Sequence, residues 1–191
     1  PIWVQWVMCF LLTVAFFQLF TTIPLYHKKY YNLSELETGL LLALNGFLVF
    51  LFEMPLVNWF GQKAKSITRL LTWSMVFFIA SFVVLYYQAW AGVLVVSIFF
   101  MSFGEMYAFP NSNAFVMRRA PEGVEGIYMG FYTTAFSVAH IFSTKFGMTI
   151  IDHFGFLANW FVMTFICILG LGFAIFLEKL TANEHLIKKI P

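Results

Sequence analysis

Charge is what this chain has least of. Only 10% of its 191 residues are Asp, Glu, Lys or Arg, whereas a soluble domain carries roughly 25%. A chain so poor in charge cannot cover a water-facing surface with polar groups. The net charge is +2, and no basic run interleaved with aromatics occurs, which excludes nucleic acid as a partner. Cysteine is almost missing. Cys9 and Cys167 both lie inside apolar stretches and read as small buried hydrophobes rather than a disulfide or redox pair. Signatures of catalysis are missing as well: no G-x-S-x-G, no H-E-x-x-H, no Cys/His metal spacing and no glycine-rich phosphate loop. Ser137 and His140 share one helix face, so they do not oppose each other as a nucleophile and base would. The chain is not expected to be an enzyme or to hold a cofactor or metal.

What is present is oil. Hydrophobic residues make up 61% of the chain, Phe alone numbers 26, and the mean hydropathy is +0.84. These values describe an integral, multi-pass membrane protein. A span needs about 20 apolar residues, and charged or turn-rich breaks divide the chain into spans at about 2–25, 37–60, 67–87, 91–109, 126–151 and 156–177. The first run exceeds a signal-peptide core of roughly 7–15 residues and has no cleavage pattern. The chain begins at Pro1 without Met, so that run reads as a true span of a cut or processed chain. Ser34 with Glu37 fits a capping box opening the second helix. The uncharged stretch between Leu70 and Gly104 is too long for one span and is expected to turn at Y-Y-Q-A-W-A-G, where Tyr86, Tyr87 and Trp90 are interface residues. The expectation is an all-α bundle of six transmembrane helices over residues 1–177, with a polar cytoplasmic tail over 178–191.

An even count puts both termini on one side. The loops of that side hold Lys63, Lys65, Arg69, Arg118, Arg119, Lys179, Lys188 and Lys189. The other side holds only Lys28 and Lys29, partly balanced by Glu35 and Glu37. Lys/Arg excess marks the cytoplasm, so both termini are expected there.

Ionisable groups at membrane depth are costly and are functional candidates. Here they are Glu53, Glu105, His140 and Lys145. A carboxyl that is neutral when dry and ionised when wet can couple proton movement to a change of shape, which makes Glu53 and Glu105 coupling or gating candidates. The alternative is an ion pair or cap with Arg118, Arg119 or Lys63. His140 is either a substrate or proton-relay group or a donor to a neighbouring helix, and Lys145 either serves a site or snorkels to the outer interface. Gly126, Gly130, Thr133, Ser137, His140 and Thr144 recur at steps of three or four and share a face, which is expected to look at packed helices or a wet cavity. Gly126 and Gly130 fit either close packing or helix termination. Gln18, Thr21 and Thr22 on the first span and Asn45 on the second add uncharged polar groups. The third and sixth spans carry few polar groups and are expected to face lipid, the other spans lining a hollow.

The segments F-F-Q-L-F-T-T-I-P-L-Y, N-G-F-L-V-F-L-F-E-M-P, G-E-M-Y-A-F-P-N-S-N-A-F and G-I-Y-M-G-F-Y resemble helices seven, eight, ten and eleven of drug/proton-antiporter-like bacterial members of the major facilitator superfamily. F-G-Q-K-A-K-S-I-T-R resembles the degenerate second copy of that superfamily's loop motif, with the family's Asp-Arg and later Gly-Arg missing. The resemblance implies one half of a two-lobed fold, the C-terminal six-helix half, whose N-terminal half lies outside this sequence. It further implies secondary-active transport of a small molecule by alternating access in a bacterial inner (plasma) membrane. The cavity residues would be Gln18, Thr21, Thr22, Asn45, Thr133, Ser137 and His140. Protons would couple through Glu53 and Glu105, and the partners would be the bilayer, the substrate and the N-terminal half or a second copy. The rival reading is a half-size membrane scaffold or interaction module that needs a partner bundle and does not transport.

Overall fold

The computed structural model describes the backbone of residues 2–63, 67–87 and 90–187, and side chains over 2–58, 67–87 and 90–183. Lys65, Lys188 and Lys189, and the side chain of Lys63, lie outside the described residues. The elements are α1 (Ile2–Phe16), a 3-10 turn (Phe17–Leu19), α2 (Thr22–Tyr31), α3 (Glu35–Lys63), α4 (Ile67–Tyr86), α5 (Gly92–Arg119) and α6 (Glu125–Ile187).

Among the described residues five helices, not six, are long and apolar enough to cross a membrane: Ile2–Tyr31, Glu35–Asn58, Ile67–Tyr86, Gly92–Arg119 and Glu125–Asn183. The stretches expected as separate fifth and sixth spans belong to one helical element, α6, whose backbone leaves helical geometry at Gly155 (φ 84°, ψ 177°). This φ/ψ is open to glycine and to almost nothing else. Gln18 shows what the break does, because it bonds Ser143 at 2.8 Å and Asn159 at 3.3 Å. A straight helix would hold those two residues about 24 Å apart, so α6 doubles back at Gly155 into a first and a second arm. Helical periodicity continues on both sides of the bend, and no loop sets the arms apart.

The first span is also interrupted. Phe20 N–H bonds Phe17 O at 3.2 Å and Thr21 N–H bonds Gln18 O at 3.3 Å, which tightens the chain into a 3-10 turn before α2 begins. Pro24 has no N–H to offer Phe20 O in the preceding turn, and within the break itself hydroxyls bond the carbonyls of the 3-10 turn. Thr21 Oγ1 donates to Phe17 O at 3.0 Å, and Thr22 Oγ1 lies 3.4 Å from Gln18 O. Asn32 closes α2 in the left-handed region at φ 51°. The capping box then opens α3: Ser34 N–H donates to Glu37 Oε2 at 2.8 Å, and Glu37 N–H to Ser34 Oγ at 3.3 Å.

α4 packs most extensively on α5 and on α6, and α1 on α6. Leu71, Met75, Phe78, Phe82 and Leu85 of α4 are fully buried, while Trp73 and Val83 on its other side are exposed. In lipid there is little hydrophobic drive between helices, so close contact has to supply the attraction. Glycines permit it. A methyl built on Gly104 would fall 2.8 Å from Phe78, and one on Gly170 2.8 Å from Met75. α3 stands apart, touching chiefly α5.

Contacts define the two ends of the bundle. Cys9, Val116 and Tyr132 cluster at one end, where Trp6 also meets Phe131 at 5.4 Å. Thr68 and Thr181 approach at 3.5 Å, and Glu178 accepts from Thr72 at 3.3 Å. Ile2, Arg69, Arg118, Arg119 and Lys179 therefore gather at this end. Lys28 pairs with Glu35 at 3.3 Å at the other, where Tyr26 meets Phe156 at 5.2 Å. α5 runs through Pro110 to Arg119, past the boundary expected at residue 109. The part of the expected tail over residues 178–187 continues α6.

Candidate functional site

The polar candidates fall into separate groups. The first is buried and stitches α1, α2 and both arms of α6 together. Gln18 Nε2 donates to Ser143 O at 3.1 Å and Ser143 Oγ at 2.8 Å. Its Oε1 accepts from Thr22 Oγ1 at 2.6 Å and from Asn159 Nδ2 at 3.3 Å. Ser143 Oγ donates in turn to Val14 O at 2.7 Å. Gln18, Thr22, Ser143 and Asn159 are all 0% exposed. Gly147 makes room for the knot, since a methyl there would lie 2.5 Å from Gln18 Oε1. A dry, mutually bonded amide cluster is a tie between helices. Thr21, half-buried, bonds only locally to Phe17 O.

The second group joins α3 to α5. Asn45 Nδ2 donates to Ser102 Oγ at 2.9 Å and to Glu105 Oε2 at 3.0 Å. Glu105 is half-buried, and among the described residues it makes no ion pair with Lys or Arg. Its charge interaction is with Glu53, also half-buried. Arg119 instead places its guanidinium 4.8 Å from the Phe115 ring centroid.

The third group is the stripe on the first arm of α6. Gly126, Gly130, Thr133, Ser137 and His140 are exposed, and Thr144 is half-buried. Nothing lies within 4 Å of a methyl built on Gly126 or Gly130, so no described helix packs against them. Thr133 and Ser137 satisfy their hydroxyls on Met129 O (2.8 Å) and Thr133 O (3.0 Å). His140 stacks on Phe17, ring centroids 3.9 Å apart, so the stripe touches the 3-10 turn directly.

The sequence reading passed over Asn159, Ser143 and Ser102. Asn159 carried a usable signal, because an isolated amide inside an otherwise apolar span needs a partner. The two serines carried none, since Ser is common in spans and its partners lie on other helices. Among the described residues no group of His, Cys, Asp and Glu could hold a metal ion.

The Major Facilitator Superfamily profile matches residues 1–144. The chain belongs to that superfamily. An uncharacterized MFS-type transporter of Bacillus subtilis (strain 168), YttB, is 29% identical over 143 residues, covering 74% of this chain and 36% of the relative. The chain thus spans little more than a third of the length of that relative. No solved structure matches this chain.

Proposed function

We propose that this chain is part of a secondary-active transporter that moves a small molecule by alternating access, contributing the C-terminal side of a two-lobed cavity. The observation that carries the reading is the exposed stripe of Thr133, Ser137 and His140. It is a polar face crossing membrane depth, exposed at Thr133 and Ser137 and flanked at His140 by Phe17, on an arm that the Gln18 tie holds to the 3-10 turn. Polar groups at that depth face protein or water, and a partner bundle across a wet cavity supplies both. The end bearing Arg69, Arg118, Arg119 and Lys179 is the cytoplasmic one by charge, which puts Ile2 there too.

Glu105 and Glu53 are the proton-coupling pair in this reading, with Asn45 as the donor that senses Glu105. The membrane is the inner membrane of a bacterium and the partner is an N-terminal bundle or a second copy.

Cysteine labelling of the complete protein tests the cavity. Thr133→Cys and Ser137→Cys should react with a membrane-impermeant maleimide, and Phe173→Cys, on the outer face of the second arm, should not. The reverse pattern sinks the reading. Substrate-driven proton flux that persists unchanged in Glu105→Gln and Glu53→Gln removes the coupling role.

A further inference from the structure

We propose that Lys145 anchors a binding site for a small amphipathic organic anion, with the carboxylate or sulfonate on Nζ and the apolar body along Phe142 and Phe146. By helical spacing Phe142 and Phe146 lie on the side of the first arm turned away from Thr133, Ser137 and His140, so this is a second site, distinct from the cavity face proposed above. Lys145 leaves the first arm of α6 nearly opposite the fully buried Ser143, and it is exposed. It lies about 15 Å along the arm from Gly155 at 1.5 Å per residue. An ammonium at that depth needs water or an anion. Among the described residues no carboxylate pairs with it, and Asp152 is about two helical turns away.

Two grooves meet at Lys145. One, of about 470 Å³, is lined by His140, Thr144, Thr149 and Asp152 among others. The other, of about 460 Å³, is walled by Val138, Ile141, Phe142 and Phe146. Thr144 and Thr149 have already turned their hydroxyls onto His140 O (3.2 Å) and Lys145 O (2.8 Å). Lys145 therefore remains the strong donor on the seam between a polar side and an oily side. The complement of that seam is an anionic head on an apolar body. A cationic amphiphile of the same shape would be repelled from Nζ.

The test uses the complete protein in phosphatidylcholine nanodiscs, with naphthalene-2-carboxylate as probe and naphthalen-2-ylmethylammonium as its cationic twin. Calorimetry should show binding of the carboxylate in preference to the amine. Lys145→Gln should weaken that binding about tenfold or more, as loss of a charge-assisted bond does, and Lys145→Arg should retain most of it. Equal affinity in Lys145→Gln, as for a lysine that merely snorkels, overturns the proposal. So does preference for the amine, or an occupant that proves to be phosphatidylglycerol and is not displaced by the carboxylate. Uptake into proteoliposomes reads transport separately. Lys145-dependent binding of the carboxylate keeps this site whether or not either probe is taken up, so the failure of this site and the failure of the transport reading show in different measurements.

Discussion

Replacing Gln18 by Leu separates a structural tie from a wetted cavity lining. The side chain is 0% exposed and makes interhelical bonds to Ser143 at 2.8 and 3.1 Å and to Asn159 at 3.3 Å. Interhelical hydrogen bonds in membranes average about 0.6 kcal/mol each. Removing this hub also strands the Asn159 amide, whose Oδ1 already has no partner among the described residues and whose other contact, Thr22 Oγ1, is at 3.5 Å. A stranded buried amide costs about 1–3 kcal/mol. Together the loss should be about 3–5 kcal/mol, read by steric trapping or by unfolding in mixed micelles. Asn159→Leu alone should cost less. The double variant should be less destabilised than the sum of the singles by about 1–2 kcal/mol, because Leu against Leu leaves nothing unpaired. A single-variant loss under about 0.5 kcal/mol, or strict additivity, would mean that water replaces the partners and that Gln18 faces the cavity instead.

Gly155→Ala should destabilise by about 1–3 kcal/mol through backbone strain alone, since nothing lies within 4 Å of the added methyl; a thermal melt unchanged from the parent refutes the bend. Gly104→Val should lower the melting temperature through overpacking worth about 1–3 kcal/mol, because its Cβ would sit 2.8 Å from Phe78, and Phe78→Ala should relieve part of that loss. Ser34→Ala removes the side-chain bonds of the α3 cap and should cost about 1 kcal/mol, visible as earlier hydrogen exchange in the first turn of α3.

What could be read in advance follows from how local each cause is. The Ser34–Glu37 cap is a pattern of four consecutive residues and appears in space as written. The apolar runs are legible because a bilayer demands length, and the Arg and Lys residues at one end because loops carry them. The break at Phe17–Leu19 was not legible: Gln18, Thr21 and Thr22 are uncharged and do not interrupt the apolar run, and Pro24, its local cause, is tolerated in the first turn of α2. Pro110 shows the converse. It does not end α5, and Asn111 Nδ2 bonds Tyr107 O at 2.8 Å beside it, so proline alone decides neither outcome. The count of spans failed at Gly155 for a related reason. H-F-G-F looks like a boundary between two helices, but its single special torsion makes a bend within one element. That bend brings Asn159 back to Gln18, and so the partner of a residue in the first span lies beyond a turn that hydropathy does not register. Phe17 and Gln18 are neighbours in the 3-10 turn, and they face the exposed His140 and the buried Asn159 respectively. The polar stripe and the tie are therefore held by one turn of chain, and any movement of that turn must displace both.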